Sequence, residues 1–185
     1  MTNDNLITGE KFGEEREVPR AHLLAEAQKP FSELQSDLAA AHDNLRRALD
    51  GVTDPQSRFQ PKGGEGEDAW GIAQVLRHLG GSEGRFAKRV LNLGRGDEMG
   101  APAPQPGDDD PRSLEELKKG IEESYQALLG AGNAVAGSEN LERKWNHPMF
   151  GELNCRAVFA LQSLHTNDHA RQIARLKALP DFPKS

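Results

Sequence analysis

Phe31, Leu34, Leu38, Ala41, Leu45 and Ala48 recur at alternating steps of three and four. That spacing returns an apolar side chain to one side of an α-helix at every turn, and it does not fit a strand, whose side chains alternate between faces. A stripe of this kind must be covered, and three further stretches offer the cover. Ile72, Val75, Leu76, Leu79, Phe86 and Val90 mark a second helix from about Gly71 to Leu93. Leu114, Leu117, Ile121 and Leu128 mark a third. Ser113 with Glu116 three residues on is a capping box that opens it, Glu115 and Lys119 have the spacing of a favourable ion pair, and Gly130 to Gly137 ends it. A fourth runs from Asn154, a good N-cap, to Lys177, with Pro180 as its stop. No alternating strand pattern and no internal repeat is visible. The fold class is therefore all-α, a four-helix bundle around one core.

The connectors are long. Residues 51–67 hold two prolines and four glycines, and 94–111 are rich in Gly, Pro and Asp, so neither can be a regular element. Lys144 to Gly151 reads as a short irregular or extended passage. Pro30 either opens the first helix or kinks one that begins near Arg20. Residues 1–19 are polar and aperiodic, a flexible N-terminal arm, which leaves 20–185 as a single domain.

Composition narrows the function. With 23 basic against 29 acidic side chains the formal charge is −6, and there is no Lys/Arg run, which argues against nucleic acid as a partner. Apolar runs are only a few residues long, far short of the ~20 needed to cross a membrane. Residues 1–20 lack an apolar segment and carry Glu10, Glu14, Glu15 and Glu17, unlike a secretory signal. The single cysteine, Cys155, permits neither a disulfide framework nor a cysteine-based zinc cluster. A soluble, cytoplasmic protein is expected.

The histidines carry the chemistry. Leu161, His165, His169, Ile173 and Leu176 lie at steps of four, four, four and three, so two imidazoles occupy the stripe that should be core. Burying polar rings without partners costs a few kcal/mol each. Either a metal satisfies them or they are hydrogen-bonded core histidines. A third ligand must come from another helix, and His78 lies on the flank of the second stripe, about 100° from its middle. Glu83 is nearer that middle, where a carboxylate needs a partner. It could accept from an imidazole N–H or pair with Arg85 or Lys88.

Trp70 followed by Gly71-Ile72-Ala73-Gln74-Val75-Leu76-Arg77-His78-Leu79 and then Glu83 resembles the aromatic-helix-His-Leu signature of the DinB-like family. His147-Pro148-Met149-Phe150-Gly151, and then His165 to Ile173 with Asp168, His169, Arg171 and Gln172, resemble its second half. The likeness covers roughly residues 20–178. The family includes bacillithiol transferases and the metal domain of mycothiol-dependent maleylpyruvate isomerases. The resemblance implies a DinB-like bundle in which His78, His165 and His169 hold one divalent ion. One departure is Gly71, where members often have a capping Ser or Thr.

Three imidazoles leave coordination positions open, as catalytic sites do. Nitrogen ligation suits zinc or nickel, with iron or manganese as further choices. A thiol or water in an open position would become a nucleophile near neutral pH. The expected function is a metal-dependent enzyme, a low-molecular-weight-thiol S-transferase acting on a small electrophile. The alternatives are a metal-dependent hydrolase and a non-catalytic, stress-associated metal- or ligand-binding bundle. The resemblance also implies a homodimer. Asp168 and Gln172, like Glu83, are candidates to orient an imidazole or a bound molecule. Cys155 reads as a buried small hydrophobe, since ten residues of helix put it ~15 Å from His165. His147 reads as a loop residue, Trp70 and Trp145 as packing residues, His22 and His42 as surface residues, and Asp108 to Asp110 as a solvated loop.

Overall fold

Pro30 sits outside the first helical turn of the first stripe, at φ −66° and ψ 157°, as the N-cap of α2 (Phe31–Ala48). Its two readings thus resolve: it opens a helix rather than kinking one, and a separate short helix α1 (Glu17–Glu26) precedes it. The structure is a computed structural model that describes residues 17–63, 65–98 and 111–184. Most of the proposed arm and the acidic triplet at 108–110 lie outside the described residues.

The other long helices follow their signals. α4 (Ile72–Arg95) ends at Gly96, whose φ of 78° is the left-handed cap that glycine supplies most readily. A short α3 (Asp54–Ser57), capped by Thr53, and a 3-10 turn (Gly66–Ala69) lie in the connector before it. α5 (Leu114–Val135) opens with Ser113 Oγ accepting from Glu116 N at 3.3 Å while Glu116 Oε2 accepts from Ser113 N at 2.7 Å. α6 (Cys155–Lys177) opens with Asn154 Oδ1 accepting from Ala157 N at 3.0 Å. No helix among the described residues is long and apolar enough to cross a membrane.

Local details sharpen or correct the sequence reading. α5 ends at Val135, inside the Gly130 to Gly137 stretch, so Gly132 lies within the helix. A Cβ on Gly132 would come within 2.8 Å of the Phe159 ring, and one on Gly94 within 2.6 Å of Val135. Glycine there lets helices approach closely, and tertiary packing outweighs its poor helix propensity. Glu115 pairs with Lys118 at 2.8 Å rather than with Lys119, which reaches towards Glu123 at 3.7 Å. Such exposed pairs differ by only a few tenths of a kcal/mol, so spacing alone does not choose between them. The passage at 144–151 contributes to an antiparallel hairpin of β1 (Trp145–His147) and β2 (Gly151–Leu153). Three-residue strands are too short to show an alternating pattern. Burial of Phe150 and Leu153 fastens the hairpin to the bundle.

Contacts set the helix directions. Phe31 meets Phe159 edge-on at 5.3 Å, and Asn44 Nδ2 donates to Asn167 Oδ1 at 2.7 Å, so α2 and α6 run parallel. Gln35 reaches Asn133 and Arg46 reaches Glu122, so α5 is antiparallel to α2. His78 faces His165 and Ser82 faces Gln162, so α4 is antiparallel to α6. The order is up-down-down-up. Consecutive α4 and α5 therefore enter from the same end, which is why the chain between them cannot be a tight turn.

The core is divided along its length. One apolar cluster gathers Phe31, Leu38, Phe86, Leu128 and Phe159, and a second gathers Leu45, Ile72, Leu79, Ile121 and Ile173. Each fully buried Leu, Ile or Phe contributes about 1.5–3 kcal/mol of transfer free energy. Between the clusters lies a layer of buried polar side chains, His42, Ser82, Glu83, Ser124, Gln162 and Thr166 among them. The three candidate histidines belong to that layer.

Candidate metal centre

The antiparallel crossing of α4 and α6 sets His78 opposite His165, and the helical repeat sets His169 one turn beyond. His78 Nε2 is 3.0 Å from His165 Nε2, and His165 Nε2 is 3.0 Å from His169 Nε2. All three candidate ligand atoms lie within 4.8 Å of one another, close enough to hold one ion.

The hydrogen-bond partners assign the protons. Gln172 Nε2 donates to the Glu67 carbonyl at 2.5 Å, which turns its Oε1 towards the His169 ring. That oxygen accepts from His169 Nδ1–H at 2.6 Å. Ser82 Oγ, 2.9 Å from the Leu79 carbonyl and 3.4 Å from both Gln162 Oε1 and His165 Nδ1, borders the His165 ring. His169 thus carries its hydrogen on Nδ1 and turns its Nε2 lone pair towards His165 Nε2, 3.0 Å away. A protonated imidazole in this pair is disfavoured. Burial, together with the neighbouring imidazoles, pushes His165 well below the usual range. Burial likewise takes His78 and His169 down to about 4. Imidazole nitrogens that converge in this way can all be satisfied by one cation between them. Tetrahedral zinc with ~2.0–2.1 Å bonds to nitrogen would hold its ligand atoms about 3.3 Å apart, close to the spacing present. The donor set fits a divalent transition metal.

The walls are built from the connector before α4. The Trp70 ring lies 4.9 Å from the His78 ring and 6.4 Å from His169, so its packing role is played against the ligands themselves. Glu67 Oε1 stands 3.9 Å from His78 Nε2. Its carboxyl is pushed above the usual carboxylate range, chiefly by burial and further by Asp68 and Asp168. The sequence reading left this residue in a loop. The one signal available was an acidic residue three positions ahead of the Trp70 signature. Gly71 also finds its reason, because a Cβ there would lie 2.4 Å from the Phe59 carbonyl oxygen. Gln74 Oε1 accepts from Gly71 N at 2.9 Å instead, keeping half of a capping box.

The remaining candidates separate. Gln172 meets His169 Nδ1 through its Oε1 at 2.6 Å. Asp168 accepts from Arg171 Nη1 at 3.1 Å, and its charge bears on Glu67. Glu83 is corrected: it serves neither the metal-site imidazoles nor Arg85 or Lys88. Its Oε1 is 2.8 Å from His42 Nε2, and its Oε2 accepts from Ser124 Oγ at 2.7 Å. His42 is corrected with it, being 2 % exposed and stacked on Tyr125 at 4.1 Å rather than on the surface. His147 closes strand β1 rather than lying in a loop, and its Nδ1 accepts from Met149 N at 3.1 Å and Phe150 N at 3.3 Å in the turn that follows. Cys155 is fully buried at the start of α6, where burial pushes its thiol up and away from reactivity. A cavity of about 510 Å³ opens between α2 and α5 beside His42, Arg46 and Lys118, and none of the three clustered histidines lines it.

The model of one protein family, the DinB superfamily, matches residues 37–173, from within α2 to within α6 and across all three clustered histidines. No curated protein matches the chain. With the family's match spanning most of the sequence and its helices enclosing a three-histidine cluster, the chain belongs to the DinB superfamily.

Proposed function

We propose that the protein is a metal-dependent S-transferase that joins a low-molecular-weight thiol to a small electrophile. The observation that carries the reading is the convergence of three imidazoles, with His165 Nε2 3.0 Å from both His169 Nε2 and His78 Nε2. A divalent ion such as zinc or nickel, once bound, supplies a Lewis acid that lowers the pKa of a thiol. His78, His165 and His169 hold it and leave positions open. Gln172 keeps the His169 lone pair pointed inwards, and the Trp70 ring shields the imidazoles from bulk water. Glu67 Oε1, beside His78, takes the thiol proton, and burial has already raised its affinity for one. The sulfur must come from outside, since Cys155 lies buried ten residues before His165 along α6.

The test is a panel of electrophiles such as chlorodinitrobenzene, offered to zinc- or nickel-loaded protein with and without bacillithiol, mycothiol or a simple thiol. Formation of the thioether and release of halide only when thiol and ion are both present is the expected result. Hydrolysis is the second reading, favoured by Glu67, whose position would serve a water as well as a thiol. Turnover of esters or amides in buffer alone would select it. Loaded protein that is inert in every arm removes both.

A further inference from the structure

One face of α4 continues from the histidine cluster towards the β-hairpin with two arginines on it. His78 and Arg85 are seven residues apart and Arg85 and Arg89 four, so all three project from the same side. The Arg85 guanidinium folds back along the helix, its Nη1 3.2 Å from where a Cβ of Gly81 would stand. Its charge bears on both His78 and His165. Arg89 lies flat over the Trp145 ring, its Cζ 3.5 Å from the ring centroid, and its Nε is buried without a hydrogen-bond partner. Trp145 in turn meets His147 edge-on at 5.0 Å.

What these arginines lack is an acid. Among the described residues neither guanidinium donates a hydrogen bond, and neither comes within 4.0 Å of a carboxylate. Other partly buried arginines are provided for: Arg156 has Glu139, and Arg20 donates to the Phe150 carbonyl. Burial lowers the proton affinity of both, and Arg85 lowers that of Arg89 further, because two cations half out of water repel. In a chain of 29 acidic residues, two adjacent guanidiniums with no carboxylate among the described residues, one of them resting on an indole ring, are costly to keep partly buried. A buried donor with no partner calls for an explanation. A planar guanidinium fork matches a carboxylate with two parallel hydrogen bonds.

We propose that Arg85 and Arg89 form an anion-binding arm of the site, taking a carboxylate of a substrate whose reacting end lies at the histidines. The placement of that reacting end rests on the proposed thiol transfer. The arm itself does not. It binds a carboxylate whether or not an ion is present. The carboxylate belongs either to the thiol or to the electrophile, and the two sources can be told apart.

Metal-free protein titrated with succinate, and followed by calorimetry or by the fluorescence of its two tryptophans, tests the arm without metal or thiol. Binding in the millimolar range, weakened about tenfold or more in Arg85→Gln/Arg89→Gln, is expected, each lost charged hydrogen bond being worth about that factor. Circular dichroism checks that the variant is folded. Raising ionic strength from about 0.02 to about 0.2 M gives a readout needing no variant, because screening should weaken succinate several-fold. Succinate that fails to bind, binds equally to the variant, or binds without salt dependence overturns the proposal. Zinc-loaded protein then assigns the source. Mercaptosuccinate binding about tenfold tighter than 2-mercaptoethanol places the carboxylate on the thiol. Equal binding of those two, with a lower KM for 4-chloro-3-nitrobenzoate than for chlorodinitrobenzene, places it on the electrophile. No preference in either comparison overturns the arm's role in the reaction. Loss of metal binding alone would defeat the transferase reading and leave the succinate result standing.

Discussion

Two polar clusters share helix α4, one around His78 and one around Glu83 five residues on, and they are built on opposite principles. Around Glu83 the acceptors and donors are matched, with two carboxylate oxygens against one imidazole from α2 and one hydroxyl from α5. Around His78 three bases converge with no acid between them, and the nearest carboxylate, Glu67, stands off at 3.9 Å from His78 Nε2. The first arrangement is closed. It ties three helices together and has nothing left to bind. The second is open, because its converging imidazole nitrogens are close enough to take one ion from outside. Burial of a polar group therefore says little about function until its partners are counted.

Deleting one base from the open cluster should have the largest effect. His165→Ala, which removes the central nitrogen, is expected to lower metal affinity by more than the about 10–100-fold that follows loss of an orienting partner. Elemental analysis after dialysis checks this, while the urea midpoint of metal-free protein should scarcely move. Acid acts next, on the same cluster without mutation. Burial pushes His78 and His169 down to about 4, and His165 well below its usual range, against about 6.5 in the unfolded chain. The unfolded state of the metal-free protein thus binds more protons between these values. Stability is full above pH ~6.5 and falls towards pH ~4, by up to about 1.4 kcal/mol per pH unit for each extra proton. Urea titrations at several pH values should show that slope, and a flat profile would refute it.

The closed cluster should answer in the other currency. Glu83→Ala strands a buried imidazole and a buried hydroxyl and is expected to cost about 3–5 kcal/mol, with metal content per folded chain unchanged. Loss of metal without loss of stability would erase the distinction drawn between the clusters. Gln172→Leu sharpens it from the other side. Metal affinity should drop about 10–100-fold in a chelator competition, since His169 loses the acceptor that fixes its hydrogen. Cys155→Ala is the smallest change, costing about 1 kcal/mol of packing and leaving any thiol-dependent activity as it was.

Much of this contrast was open to a reader of the sequence, and the unreadable part has a common cause. His165 and His169 announce themselves because periodicity within one helix places them on the Leu161–Leu176 stripe. His78 could be nominated from its flank position. The partner of Glu83 could not be, because His42 and Ser124 each lie 41 residues away and meet it only once helix directions are set. His42, next to Ala41 on the stripe, reads as a surface residue. In the bundle α2 buries that neighbouring face against α4 and α5 too. Glu67 depends on how a connector folds over Trp70, and no period describes a connector. Helix interiors were local facts; pairings across helices and the hairpin of three-residue strands were not.

The close approaches at Gly94 and Gly132 draw the helices together at the end of the bundle remote from the histidines, around Phe31, Leu128 and Phe159. That closure uses no imidazole. The packing that holds this end of the bundle together therefore owes nothing to an ion at the proposed centre, and the two can be tested apart.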